Sequence, residues 1–131
     1  MTQPEPRFLT RDQIERLHEL SLLKFGGSSG IRDEGLIDSA LASAKNAYYY
    51  GRGDLFEIAA AYAFHLAEAQ AFLDANKRTA VGAAWTFLDL NGITKLPDDD
   101  RLYGAMIAVA KKQMGKTELA ALVREAAGKE E

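Results

Sequence analysis

From Thr10 onward the apolar residues recur every three to four positions, and no stretch sustains the two-residue alternation of a strand. That periodicity confines the chain to helix-on-helix architectures. Thr10 with Gln13, and Asp54 with Glu57, have the spacing of capping boxes and mark two helix starts. Ile14, Leu17, Leu20 and Leu23 predict the buried face of the first helix. The run Gly26-Gly27-Ser28-Ser29-Gly30 ends it. This run reads as a helix stop and tight connection, with a phosphate-cradling loop as the alternative. Asp33 opens a second helix carrying Leu36, Ile37, Ala40 and Leu41. Residues 45–53, with Tyr48, Tyr49 and Tyr50, read as an ordered surface loop whose tyrosines either contact a partner or plug the core edge.

The third helix starts after Asp54, buries Leu55, Ile58, Ala59, Tyr62, Ala63 and Leu66, and ends near Ala69 or Gln70. The fourth runs from Asn76 to Leu90 with Val81, Ala84, Trp85 and Leu88 on one face, and Asn91-Gly92 stops it. These two are expected to form the central pair. Asp98, Asp99 and Asp100 precede a fifth helix with Leu102, Met106 and Val109, and read as caps suited to the helix dipole rather than as a cation site. A sixth carries Leu119, Leu122, Val123 and Ala126, and Gly128 ends it. The expected fold is all-α, a compact bundle of about six helices. It forms one domain over residues 1–131, with 1–7 a flexible lead-in and 128–131 a charged tail.

At 131 residues and 47% apolar composition the chain can bury a core without staples. It has no cysteine, which excludes disulfides and thiolate metal sites and fits a reducing cytoplasm. The opening MTQPEPRFLTRD lacks the apolar core of a signal peptide, and no apolar run approaches the ~20 residues of a membrane span. A net charge of −3 argues against a broad nucleic-acid interface. The expectation is a cytoplasmic protein with no membrane contact and no direct nucleic-acid binding.

One segment has an unusual composition for a connector: QAFLDANKRT, Gln70 to Thr79. Phe72 and Leu73 can anchor it in the core. Asp74 places a carboxylate just before a helix, and Asn76 can cap that helix or donate an amide. Lys77 and Arg78 put two cations in the first turn, where the dipole and the unpaired amides favour anions. A bound anion would reconcile that placement. Asp74 beside a phosphate would repel it unless a hard divalent cation such as Mg2+ bridged the two. The local physics leaves a second reading open: Asp74 as a simple cap, with Lys77 and Arg78 pointing into solvent. Gly115-Lys116-Thr117 imitates the end of a P-loop, but the glycine required five positions earlier is Ala110, and the segment before it is helical.

The segment resembles the signature of the Fic/Doc family, in its Doc (death-on-curing) branch: His, any residue, Phe, any residue, Asp, Ala or Gly, Asn, Lys, Arg, Thr. Phe72, Asp74, Ala75, Asn76, Lys77, Arg78 and Thr79 match it. Gly26 to Leu36, GGSSGIRDEGL, is similar to the family's early GGxxGIRDEGLL stretch, and Phe87 to Gly92, FLDLNG, to its FLxLNG helix end. The resemblance extends from Phe8 to Arg124. It implies a compact helical fold and transfer from a nucleoside triphosphate to a protein hydroxyl. Fic members transfer AMP; Doc toxins, with Lys where Fic enzymes have Gly, transfer the terminal phosphate of ATP to elongation factor Tu and stop translation. Lys77 sides with Doc.

By matched position, Asp74 would hold Mg2+, and Phe72, Ala75, Asn76, Lys77 and Arg78 would form the nucleotide site with the amides of the helix start. The implied partners are an antitoxin and a target such as elongation factor Tu. The chain departs from the pattern at Gln70, where the family has its general-base His. A glutamine can orient a hydroxyl but cannot take its proton near neutral pH, and loss of a positioned base costs ~10²–10⁴ in rate. Gln70 could mark a specialised or degenerate member, an engineered change that tames a toxic protein, or deprotonation by phosphate itself. His65 and His18 read as surface or partly buried residues away from this position. The resemblance thus implies a Doc-like kinase weakened by Gln70. The alternatives are a nucleotide- or partner-binding module without activity, or a Fic-type AMP transferase.

Overall fold

The computed structural model describes residues 5–96 and 100–128. Among them lie six helices: α1 (Arg11–Phe25), α2 (Glu34–Tyr49), α3 (Leu55–Ala69), α4 (Asn76–Leu90), α5 (Arg101–Ala110) and α6 (Lys116–Gly128). The all-α expectation holds. The sole extended pairing among the described residues is an isolated antiparallel bridge between Ile31 and Phe72. No described helix is long and apolar enough to cross a membrane.

Helix α3 is the centre. Residues Ile58 to Ala63 are buried on every side, and α4, α2, α6 and α5 all pack around it. Alanines at 59, 60, 61 and 63 let those neighbours approach closely. Tyr62 is fully buried and its hydroxyl accepts the Leu9 amide at 2.8 Å, which satisfies its polar end. Burial pushes the Tyr62 phenol up to about 12. Both capping boxes form, Thr10 with Gln13 and Asp54 with Glu57.

Four expectations need correction. Residues 45–49 are helical, because Ala44, Ala47 and Tyr48 extend the buried face of α2 and Tyr48 packs edge-on against Phe8 at 5.9 Å. Tertiary burial prolongs a helix beyond its local signals. Of the three tyrosines, Tyr48 and Tyr49 pack on Phe8, while Tyr50 is 84% exposed. On α1 the buried residues are Ile14 and His18, and Leu20 and Leu23 face outward. This helix packs mainly on α4, so a narrow face centred on Ile14, Leu17 and His18 suffices. On α4 the buried face is Ala80, Ala83, Ala84, Phe87 and Leu88, with Val81 and Trp85 half-buried at its border. Asp100 stands at the start of α5 but makes no side-chain cap; Asp98 and Asp99 lie outside the described residues. Gly115-Lys116-Thr117 leads into α6 after a turn, and the element before it is the helix α5 where a P-loop has a strand.

Candidate functional site

The chain leaves α3 through Gln70 and enters α4 through Ala75, both in the left-handed region with φ of 53° and 64°. Between these two bends the segment runs alongside residues 28–33. The Ala71 carbonyl accepts the amides of Arg32 and Asp33 at 2.7 and 3.0 Å, and the Leu73 amide donates to the Gly30 carbonyl at 3.1 Å. Ala71 and Phe72 are buried, whereas Leu73 is exposed. The Arg32 guanidinium donates to the Gln70 carbonyl, placing a cation at the negative end of α3.

The glycine run does stop α1: the Gly26 amide returns to the Leu22 carbonyl at 2.7 Å. It also seats the motif loop. A Cβ on Gly27 would lie 2.8 Å from Asp74 Oδ2, and one on Gly30 2.8 Å from Leu73 Cδ1, and both residues have strongly positive φ. Gly27→Ala is therefore expected to destabilise by about 1–3 kcal/mol. Gly104→Ala, in α5 with open space around it, should be neutral or stabilising. Urea unfolding of the two variants checks the opposite signs.

Asp74 accepts the Ser28 amide at Oδ2 (3.1 Å) and the Ala75 amide at Oδ1 (2.8 Å). These two donors, Ser28 first, hold its carboxyl below the usual range against desolvation, with smaller help from Arg78 and His18. A depressed folded-state value means that the Ser28–Asp74–Ala75 link is complete above the ordinary carboxylate range and is lost as pH falls through the lowered value. An NMR titration of the Ser28 amide should give a midpoint below the ordinary aspartate value of about 3.9.

Helix α4 begins without a side-chain cap and without an acidic residue in its first turn. Thr79 is the first residue whose amide finds a helical partner, the Ala75 carbonyl at 3.0 Å. The amides of Asn76, Lys77 and Arg78 thus remain at the positive end of the dipole. Asn76 does not cap the helix. Its side chain clamps Phe72, accepting the Phe72 amide and donating to the Phe72 carbonyl, each at 3.0 Å. Lys77 is half-buried, and its ammonium makes no hydrogen bond or ion pair among the described residues. Arg78 is committed elsewhere: it donates to the carbonyls of Gly26 (3.1 Å) and Ser21 (3.4 Å) and lies 5.3 Å over the Phe25 ring. The two cations therefore differ, one unpartnered and one bracing the end of α1.

Gln70 is exposed, with its backbone fixed and its side chain unpartnered among the described residues. His65 points the other way, its Nε2 3.2 Å from Lys116 Nζ on α6, and burial lowers its pKa. It cannot serve at Gln70. His18, by contrast, is buried under the motif loop with Nε2 2.9 Å from the Asp74 carbonyl oxygen. The sequence reading missed His18, Ser28 and Arg32 as neighbours of the motif. The glycines at 27 and 30 were the one local sign that another segment approaches there.

One carboxylate, an uncapped helix start and an unpartnered lysine form an arrangement that can bind an anion with a bridging cation. Among the described residues no cluster of three or more His, Asp or Glu side chains could hold a metal alone. Asp74 fits Mg2+ as a single carboxylate, a mode completed by phosphate oxygens and water. Its two amide bonds leave it further lone pairs.

The pattern of the Fic/DOC family matches residues 8–88, which span α1, α2, α3 and most of α4. The chain is 44% identical over 82 residues to a protein named Toxin Doc from Mycolicibacterium smegmatis, covering 60% of this chain and 62% of that protein. It is 29% identical over 126 residues to one named Protein kinase doc from Escherichia phage P1, covering 95% and 99%. The chain thus spans less than two thirds of the mycobacterial relative and nearly all of the phage one.

Proposed function

Since the chain belongs to the Fic/DOC family, we propose that it is the toxin of a toxin–antitoxin pair, transferring the terminal phosphate of ATP to a hydroxyl of a translation factor such as elongation factor Tu. The observation that carries this reading is the start of α4, where an uncapped helix end, an unpartnered Lys77 and the ionised Asp74 meet. The names of the two relatives, a toxin and a protein kinase, support it. Its antitoxin partner and its place in the cytoplasm follow from that role.

In this reading the amides of residues 76–78 and the Lys77 ammonium bind the phosphates. Asp74 would hold Mg2+, which when bound neutralises phosphate charge. Arg78 contributes its positive field from the α1 side. The target oxygen forms a bond to the γ-phosphorus as the bond to the ADP oxygen breaks. Gln70 orients the hydroxyl, and its proton passes to a phosphate oxygen, because an amide cannot take it.

Incubation with labelled ATP and elongation factor Tu tests the proposal. Label moving from the γ-position supports it, and label from the α-position would replace it with AMP transfer. Nucleotide binding without transfer would favour a degenerate module, the second reading that Gln70 itself supports. Lys77→Ala is expected to weaken ATP binding by about 10–100-fold, the range for one charge-assisted hydrogen bond. It is the cleaner probe, since Arg78→Ala would also release Ser21 and Gly26. Calorimetric titration provides the measurement; unchanged affinity would mean that the phosphates sit elsewhere.

A further inference from the structure

One buried imidazole lies directly under the motif loop. His18 is 4% exposed, on the inner face of α1. Its Nε2 lies 2.9 Å from the Asp74 carbonyl oxygen, and its ring stacks on Phe72 at 3.9 Å and 10°. A carbonyl oxygen can only accept, so Nε2 carries a proton. Phe72 is in turn locked by the Asn76 side chain at both its amide and its carbonyl. Beyond the neighbouring Ala75 amide, Asp74 is therefore gripped from two other segments. His18 holds its carbonyl from below, and the Ser28 amide holds its carboxylate from the glycine loop.

The donor sits on a fixed element. Arg11 ties α1 to α2 through Glu34 at 2.9 Å and Asp38 at 3.6 Å. Arg78 ties the end of the same helix to α4. Both ends of the helix that carries His18 are thus tied to neighbouring elements, and its inner face packs on α4.

We infer that His18 is a positioning residue, whose Nε2–H holds the Asp74 peptide so that the carboxylate stands at the first turn of α4. It acts through Asp74 and touches neither the proposed phosphates nor the target hydroxyl. The inference rests on the reading of Asp74 as the Mg2+ carboxylate for its consequence in binding, but its geometry is testable without metal or nucleotide.

Two variants separate the hydrogen bond from the packing. His18→Phe keeps a stacking ring and removes the donor; His18→Gln keeps a donor and removes the ring. In the metal-free protein, amide exchange at Ser28 and Ala75 should rise about tenfold in His18→Phe, the factor for one hydrogen bond of ordinary strength, and return towards the parent value in His18→Gln. Mg2+-dependent ATP binding should weaken about tenfold in His18→Phe by the same factor, with metal-free ATP binding unchanged. The parent chain gives a check that needs no variant, since the ¹⁵N spectrum of His18 should show Nε2 protonated. A bare Nε2 with the proton on Nδ1, or unchanged exchange in a folded His18→Phe, overturns the inference. If His18→Phe fails to fold, the parent spectrum and His18→Gln decide it. If Mg2+ has no effect on ATP binding to the parent chain, the metal reading of Asp74 falls, and the exchange data still judge the positioning by His18.

Discussion

Gln70→His is expected to raise phosphate transfer to elongation factor Tu by about 10²–10⁴-fold over the parent chain, the contribution of a positioned general base. The site can accept the change. Gln70 is exposed, and its carbonyl is held by Arg32 whatever the side chain. Its φ of 53° lies in the left-handed region, which histidine enters more readily than most residues. Folding stability should therefore move by no more than about 0.5 kcal/mol, as for a surface substitution. Initial rates with γ-labelled ATP, measured at equal protein and target concentrations, give the comparison. Equal rates in the two proteins would remove Gln70 from the site of proton transfer. A gain in transfer at unchanged ATP affinity would separate the two halves of the motif, with binding at Asp74 to Arg78 and proton removal at position 70.

The second large effect lies in the core. Phe87→Ala is expected to cost about 3–5 kcal/mol, a large share of the 5–15 kcal/mol that holds a typical domain together. Phe87 is fully buried and contacts the rings of Tyr62 at 5.3 Å and Phe8 at 6.4 Å. Many of the buried residues of α3 and α4 are alanines, with no long side chains to swing into the hole. The cavity should persist, which puts the cost at the upper part of the range. Urea unfolding followed by far-UV circular dichroism measures it, and a loss below about 2 kcal/mol would show that the core collapses around the vacancy. The loss should exceed that of Gly27→Ala, because the glycine substitution strains one loop while the aromatic one empties the junction of α3, α4 and the segment at Phe8.

What sequence can and cannot disclose follows from how local each interaction is. The capping boxes at Thr10 and Asp54 are four-residue devices, and both helices start where those residues stand. The end of α3 near Ala69 and the span Asn76–Leu90 of α4 are equally local, set by the break at the motif loop and by Asn91-Gly92. The C-terminal end of α2 was misread because its last turn is held by Phe8, far away in sequence. The outward face of α1 was misread for a related reason. Leu20 and Leu23 satisfy the helical period as well as His18 does, and only the position of α4 decides which side is covered.

The candidate site divides along the same line. By itself the sequence determined the helical class and the charge pattern of residues 74–78, with two cations at a helix start, a preceding carboxylate and a glutamine at position 70. These are facts of residue type and spacing within nine residues. The tertiary structure alone decided how the charged groups are employed: Arg78 drawn to the carbonyls ending α1, Lys77 left without a partner among the described residues, Ser28 brought to the Asp74 carboxylate, and His18 placed beneath Asp74. Their hydrogen-bond partners lie 46 to 57 residues away for Ser28, Gly26, Ser21 and His18. Such bonds form only once helix packing has brought the segments together, so no local pattern can announce them.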